Sequence, residues 1–204
     1  LDGTLGDTLP VCFVAFRATF ERFLGVTYTD EEIRAMFGPT EEGMFLARTP
    51  DAFDDALAHY LEGYAANHHL CPTPFAGIVD VLDRLDDRGV SVAVVTGKGP
   101  NSTRISLEQW GLEGRFDRVE PGGDHGAIKP GRMTAVVTGW GVDPATVVAI
   151  GDVPGDVIAG RAAGVVPVAA AWSPLADPRA LTASGPDAIF NEVTDFATWL
   201  DRFE

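Results

Sequence analysis

Positive charge is scarce in this chain of 204 residues. Thirty acidic residues stand against fifteen basic ones, which gives a formal net charge of −15. This balance argues against nucleic acid or an anionic membrane as a partner, because either needs a basic face. An anionic substrate would require positive charge to be concentrated locally. Lysine is the scarcer of the two basic types, since only Lys98 and Lys129 occur, and both lie inside motifs described below.

Cysteine and long apolar runs are also scarce. The two cysteines, Cys12 and Cys71, lack the spacing of metal ligands, and we expect no disulfide between them. No apolar run approaches the length that spans a membrane. We therefore expect a globular protein in the reducing cytoplasm, a monomer or homodimer that acts on a small molecule. The length is sufficient for one large domain, or for a core with a modest insertion.

The first third of the chain has a helical pattern. Apolar residues recur at helical spacing from Val11 to Leu24, and Gly25 ends that pattern. Thr29 begins a capping box for a short second helix, Thr40 precedes a third, and a longer amphipathic helix covers residues 51–67. Pro72 and Pro74 then break the pattern. These signals predict a helical segment over residues 9–74.

From residue 75 onward, short apolar strands alternate with helices. The predicted strands are residues 90–95, 116–120, 146–150, 165–171 and 188–190. The predicted helices are residues 77–88, 101–111, 131–140, 155–163 and 194–203. Such alternation is typical of a parallel sheet covered on both faces. We predict an α/β fold, with a Rossmann-like parallel-sheet core formed by residues 1–8 and 75–204 and an α-helical cap inserted at residues 9–74.

The chain opens on a turn that carries a carboxylate. Leu1-Asp2-Gly3-Thr4 matches the end of an Asp-x-Asp-Gly-Thr motif, in which two carboxylates two residues apart leave a buried strand and share one pocket. We expect the first aspartate, a nucleophile, immediately before Leu1, together with the central first strand of the sheet. Glycine allows the chain to turn sharply. By itself, Asp-Gly-Thr is also a common turn.

Three further motifs each follow a predicted strand or begin a helix. Thr96-Gly97 offers a hydroxyl and free N–H groups that could hold phosphate, although an ordinary glycine turn explains it equally well. The following Lys98 suggests a Walker A loop, but position 92 is Val where that motif requires glycine.

Lys129 could offset the charge of a carboxylate and a phosphate. Alternatively, Lys129 is a solvated residue at a helix start.

The last motif places Asp152 and Asp156 four residues apart, across a strand end and the first turn of a helix. Oxygen ligands of this kind suit Mg²⁺. Helix capping is the alternative, and it explains one of these acids better than both. In an open α/β sheet all four motifs would lie at the carboxyl ends of the strands, where ligands bind.

These motifs, in this order, resemble the haloacid dehalogenase-like superfamily, and the resemblance covers essentially the whole chain. The helical insertion is similar to that of the subgroup with phosphoglycolate phosphatases, pyrophosphatases and β-phosphoglucomutases. The resemblance implies an Mg²⁺-dependent phosphatase that hydrolyses a small, phosphoglycolate-like phosphate ester through an aspartyl-phosphate. A dehalogenase is disfavoured, because a halide leaving group needs no acid such as Asp2.

The resemblance also implies roles for individual residues. Asp2 would be the general acid and base, and its backbone carbonyl would bind the metal. Thr96 and Gly97 would hold the phosphate, and Lys129 would neutralise the nucleophile and the phosphate. Asp152 would ligate Mg²⁺, with Asp156 as a second ligand or a water-orienting residue. Substrate specificity would come from the loop Gly38, Pro39, Thr40 and Glu41, which is otherwise a simple helix connection.

Three alternatives stay open at this level. A sugar phosphomutase of the β-phosphoglucomutase type would return the phosphate to a sugar instead of to water. A non-catalytic binding module would lack the nucleophile altogether. A phospho-receiver domain uses a similar order of Asp, Ser or Thr, and Lys, but it has no helical insertion and no late pair of aspartates.

Overall fold

The computed structural model describes residues 1–124 and 128–202. Within the first part of the chain lie four α-helices: α1 (Leu9–Leu24), α2 (Asp30–Arg34), α3 (Glu41–Arg48) and α4 (Phe53–Ala66). Gly25 ends α1 in the left-handed conformation, at φ 67°. Thr29 begins α2 with the predicted capping box, in which its N–H donates to Glu32 Oε2 at 2.8 Å. We call residues 9–74 the cap segment; its exact boundaries stay a prediction.

After residue 75 the structure alternates between helix and strand, as predicted. The elements are α5 (Ile78–Asp87), β1 (Ala93–Val95), α6 (Pro100–Gln109), β2 (Arg118–Glu120), α7 (Lys129–Trp140), β3 (Val148–Gly151), α8 (Pro154–Ala162), β4 (Val166–Ala170), α9 (Pro178–Ala183), β5 (Ala188–Phe190) and α10 (Val193–Leu200). All five predicted strands are present, although most are shorter than predicted. The predicted last helix ends earlier, and residue 203 lies outside the described residues.

Helix α9 was not predicted. It is only six residues long and buries a single large side chain, Leu181. Its start does carry a signal, since Asp177 accepts hydrogen bonds from the N–H groups of Arg179 and Ala180 at 2.9 and 3.0 Å. A helix this short has no apolar periodicity to reveal it.

The strands form two parallel sheets. Strands β1 and β2 pair with Val94 opposite Val119. The second sheet has the order β3-β4-β5, with Ile150 opposite Val168 and Ala169 opposite Ile189. The central strand that we expect before Leu1 would lie between β1 and β3 and join the two sheets. The single sheet predicted from the sequence therefore stays a prediction.

One hydrophobic core runs through both parts of the molecule. It extends from Phe16 and Tyr60 of the cap segment to Phe196 of α10. The two connections between the parts run side by side, since Phe75 N–H donates to the Leu5 carbonyl at 2.9 Å. Across the residues that the structure describes, no helix is long and apolar enough to cross a membrane.

Candidate active site

The opening turn packs against the carboxyl end of β3. Gly3 has a φ of 72°, a conformation that favours glycine, and a Cβ there would collide with the carboxylate of Asp152. The hydroxyl of Thr4 donates to Asp152 Oδ1 at 2.9 Å. These contacts bring the first and the last of the predicted motifs together.

Asp2 is held by two donors on one oxygen. The Thr8 hydroxyl donates to Asp2 Oδ1, and Lys98 Nζ lies 3.4 Å from the same atom. Burial alone would raise the pKa of Asp2, but attraction to Lys98, together with the hydrogen bond from Thr8, outweighs it, so this pKa lies below its ordinary value. Asp2 is therefore ionised at neutral pH and able to accept a proton.

Thr96 and Gly97 form the turn that leaves β1. The Thr96 N–H donates to the Glu120 carbonyl of β2 at 3.0 Å, and the Thr96 hydroxyl accepts from the Lys98 N–H at 3.2 Å. An ideal Cβ on Gly97 would lie 3.9 Å from Cε of Lys129. The turn predicted to hold phosphate is thus a direct neighbour of the predicted lysine.

Lys129 begins α7 and forms an ion pair with Asp156 Oδ1 in the first turn of α8. The other oxygen of Asp156 accepts from the Val153 N–H at 3.4 Å. Since both carboxylate oxygens have partners, the structure favours Asp156 as the residue that positions Lys129. Its role as a second metal ligand stays a prediction.

Asp152 lies directly after β3, in surroundings that suit a cation. Burial, together with repulsion from Asp156, raises the pKa of the Asp152 carboxyl. The contacts of Thr4 with Asp152, of Lys129 with Asp156 and of Gly97 with Lys129 therefore link all four predicted motifs.

The donor set at this point fits Mg²⁺. The ion takes oxygen ligands, is commonly held by only one or two carboxylates, and fills its remaining positions with water and substrate phosphate. Asp152 would hold the ion, together with the backbone carbonyl of Asp2 that the resemblance implies as a ligand. Among the described residues no group of three or more His, Cys, Asp or Glu is arranged to hold a metal, and such a site does not need one.

The two halves of the predicted specificity loop differ in their exposure to solvent and in their hydrogen bonds. Gly38 is exposed, with nothing within 4 Å of an ideal Cβ, and Pro39 is partly exposed. Thr40 is buried; its N–H donates to the Gly123 carbonyl at 3.2 Å, and its hydroxyl donates to Asp124 Oδ1 at 2.7 Å. Among the described residues, the hydrogen bonds from this loop to the α/β part of the molecule come from its second half.

Glu41 reaches further into that part than Thr40 does. It accepts from the Gly99 N–H at 2.5 Å and from the Ser102 hydroxyl, and its Oε1 lies 3.5 Å from Lys98 Nζ. The residue is 6% exposed. The structure thus places Glu41, but not Gly38, beside the acid predicted at position 2.

Lys98 is the site residue that sequence reasoning missed. Its side chain is only 2% exposed and pairs with both Asp2 and Glu41. Because the Gly97-Lys98 pair does not match the Walker A motif, the sequence pattern assigns no role to Lys98. The available signal was its rarity: Lys98 is one of two lysines and directly follows a strand-end Thr-Gly turn.

The chain belongs to the haloacid dehalogenase-like hydrolase family, whose model matches residues 1–170. The predicted family, the α/β fold class and the assignment as a hydrolase are thereby confirmed.

Relatives and a solved structure extend the match over almost the whole chain. The pyrophosphatase PpaX of Bacillus pumilus is 30% identical over 197 residues, which are 96% of this chain and 91% of the relative. A phosphoglycolate phosphatase of Rhodospirillum rubrum is 29% identical over 216 residues, covering 98% of this chain and 88% of the relative. A haloacid dehalogenase-like hydrolase from Streptococcus pneumoniae has the same fold, with a TM-score of 0.76 at 24% identity; the match covers 98% of this chain and 95% of that one.

Proposed function

We propose that this protein is an Mg²⁺-dependent phosphatase that hydrolyses a small phosphorylated metabolite through an aspartyl-phosphate. The observation that carries the proposal is the convergence of the four motifs. Thr4 donates to Asp152, Lys98 contacts Asp2, Gly97 lies beside Lys129, and Lys129 pairs with Asp156. Acidic groups and an ammonium gathered at strand ends suit phosphoryl transfer.

In the first step the aspartate expected before Leu1 attacks phosphorus, and the bond from phosphorus to the leaving oxygen breaks. Lys129 lies where its charge offsets that of the phosphate, and the Thr96 hydroxyl and Gly97 N–H hold the phosphate oxygens. Asp2 gives a proton to the leaving oxygen. The negative phosphate beside Asp2 favours the protonated form needed for this step.

In the second step water attacks the phosphorus of the aspartyl-phosphate, and Asp2 accepts the proton from that water. The bond between phosphorus and the aspartate oxygen breaks, which regenerates the aspartate and releases inorganic phosphate. Bound Mg²⁺, held by Asp152 and the Asp2 carbonyl, would supply Lewis-acid stabilisation of negative charge on the phosphate. Asp156 keeps Lys129 in position through its ion pair.

The contacts between the cap segment and the α/β part support a small substrate. Thr40 and Glu41 bond directly to residues 99–124 beside the site, so these loops enclose it on one side. Two relatives are named as a pyrophosphatase and a phosphoglycolate phosphatase, and both names refer to small phosphate compounds. A phosphoglycolate-like ester is the choice that the sequence suggests, and a monomer or homodimer in the cytoplasm stays our expectation.

A phosphatase screen tests the proposal. Full-length protein with Mg²⁺ is incubated with about fifty phosphorylated metabolites, and released inorganic phosphate is measured. We expect turnover of at least one small ester. Lys129→Ala and Asp152→Asn should each cost several orders of magnitude in rate with the fold intact, because each removes a charge that acts on the transition state.

Flat activity across the panel would contradict the proposal, and near-normal turnover in either variant would remove that residue from the site. Phosphate migration within one sugar, without steady release of phosphate, would indicate the mutase. Sequencing the gene upstream of Leu1 decides whether the nucleophile exists, and its absence would leave a binding module.

A further inference from the structure

Trp172 follows β4, the strand next to the one that ends at Asp152. Strands β3 and β4 are parallel neighbours. The chain that leaves β4 is held to β5, since the Ala171 N–H donates to the Phe190 carbonyl at 2.8 Å. Trp172 therefore lies at the carboxyl end of the sheet, where the proposed site is built.

The indole of Trp172 reaches the opening turn. Its Nε1–H donates to the backbone carbonyl of Thr4 at 3.1 Å. Thr4 is buried, and a buried carbonyl is costly to leave without a donor. The indole N–H therefore helps to fix the position of the Thr4 backbone.

Thr4 connects this hydrogen bond to Asp152. Its carbonyl accepts from Trp172, and its hydroxyl donates to Asp152 Oδ1 at 2.9 Å. The other oxygen of Asp152 lies against Gly3, where a Cβ would collide with it. Both carboxylate oxygens thus face the opening turn, so the position of that turn sets the direction of the carboxylate.

The Trp172 ring is itself held in place. Its centroid lies 6.0 Å from that of Phe196, a buried residue of α10. The next residue, Ser173, is also buried, and its hydroxyl accepts from the Leu175 N–H at 3.3 Å. An indole fixed on both sides offers Thr4 a donor at a constant position.

We propose that Trp172 is a positioning residue for the metal site. Its indole N–H holds the Thr4 carbonyl, and the Thr4 hydroxyl in turn orients Asp152 toward Mg²⁺. Partners that orient a metal ligand commonly change metal affinity by about ten- to hundredfold when they are removed. The inference rests on the proposed phosphatase function, in which Asp152 ligates Mg²⁺, and it extends the site to β4 and α10.

Trp172→Phe tests the inference, because it keeps an aromatic ring beside Phe196 and removes the N–H. Mg²⁺ is titrated into the full-length protein without substrate, and the Kd is measured by calorimetry. We expect the Kd to rise about tenfold or more. The Mg²⁺ concentration for half-maximal phosphate release should rise similarly. At saturating Mg²⁺, kcat should stay within about threefold of the wild type, since the bound ion then holds Asp152 itself.

Trp110→Phe is the matched control. Trp110 follows the last residue of α6, and its indole N–H also donates to a backbone carbonyl, that of Cys71, at 3.0 Å. This bond leads to the cap segment and not to Asp152. The substitution removes the same kind of hydrogen bond from a buried position, so it controls for a general loss of stability. Its Kd for Mg²⁺ should stay within about threefold of the wild-type value.

A double-mutant cycle tests the route through Thr4. Thr4→Val replaces the hydroxyl by a methyl group of similar size, and it should itself raise the Kd for Mg²⁺ about tenfold. If Trp172 acts on Asp152 through Thr4, adding Trp172→Phe to Thr4→Val should change the Kd by no more than about threefold.

Three results would each overturn the inference: an unchanged Kd in Trp172→Phe, an equal rise in Trp110→Phe, or full additivity of Thr4→Val and Trp172→Phe. If Trp172→Phe does not fold, Thr4→Val decides, because an unchanged Kd in that variant would show that the opening turn does not orient Asp152. Calorimetry also separates the two proposals. Weaker Mg²⁺ binding in Trp172→Phe, with no phosphate release from any ester by the wild type, would sink the phosphatase proposal alone. Normal phosphate release with an unchanged Kd in Trp172→Phe would sink this inference alone.

Discussion

At the scale of single residues, Lys98 keeps its charge in a buried position because of its neighbours. Burial alone would lower the pKa of its ammonium, but attraction to Asp2 above all, and also to Glu41, raises this pKa well above its ordinary value. The surrounding Cys12 thiol stays protonated, since burial raises its pKa to about 12. Charge is therefore confined to the two carboxylates and the lysine between them.

His68 is another buried titratable residue, and it has no role in the proposed catalysis. The residue is 2% exposed, and its Nε2 lies 3.2 Å from the Ser106 hydroxyl. Burial, with repulsion from Lys98, lowers the pKa of His68 below its ordinary value. The folded protein therefore keeps His68 neutral at a pH where the unfolded chain already binds a proton.

This difference predicts a loss of stability in mild acid. As the pH falls through about 6.5, the unfolded state binds the extra proton, and the free energy of unfolding should drop by up to about 1.4 kcal/mol per pH unit. His68→Gln should make this drop shallower between about pH 7 and 5.5, measured by urea unfolding. The exposed His69→Gln serves as the control, and identical slopes for both variants would count against the assignment.

At the scale of elements, the site depends on turns that follow strands. The turn at Gly3 has a positive φ and presses directly against Asp152. Another glycine of similar conformation, Gly89, has a φ of 64° but open space around an ideal Cβ. A comparison of substitutions at these two positions therefore distinguishes the effect of backbone strain from the effect of crowding against Asp152.

We predict that Gly3→Ala destroys activity and Gly89→Ala does not. Both substitutions force an L side chain into the left-handed region, at a cost of roughly 1–2 kcal/mol each. Only Gly3→Ala also displaces Asp152, so phosphate release should fall at least about a hundredfold in that variant alone. Thermal melting of both proteins provides the stability comparison. Activity lost equally in both would mean that strain, and not contact with Asp152, is responsible.

At the scale of the whole molecule, the proposed metal would join the opening turn to β3. Mg²⁺ bound to the folded state at a hundred times its Kd would add about 2.7 kcal/mol of stability. For a chain of this size, that corresponds to a rise in Tm of roughly 5–10 °C.

Calorimetric melting of the full-length protein checks this expectation. The rise should reverse with a chelator, and Asp152→Asn should abolish it while leaving the Tm without metal nearly unchanged or higher, since a buried carboxylate is removed. An equal rise in Asp152→Asn would show that the ion binds elsewhere.

The sequence by itself determined the alternation of helices and strands, apart from the short helix α9, and the motifs at strand ends. Periodicity and capping are local, so α1, α2 and all five strands could be predicted from neighbouring residues. The meeting of the motifs that contain Asp2, Gly97, Lys129 and Asp152 also followed, because parallel strands bring their carboxyl ends to one edge.

Only the tertiary structure decided which charges pair. The sequence linked Lys129 to catalysis but gave no reason to place Lys98 between Asp2 and Glu41, since those residues are far apart along the chain and belong to different segments. It also could not show that Thr40 and Glu41 turn inward while Gly38 remains exposed. Ion pairs depend on distances of a few ångströms between side chains, and those distances arise only when the cap segment packs against the sheet.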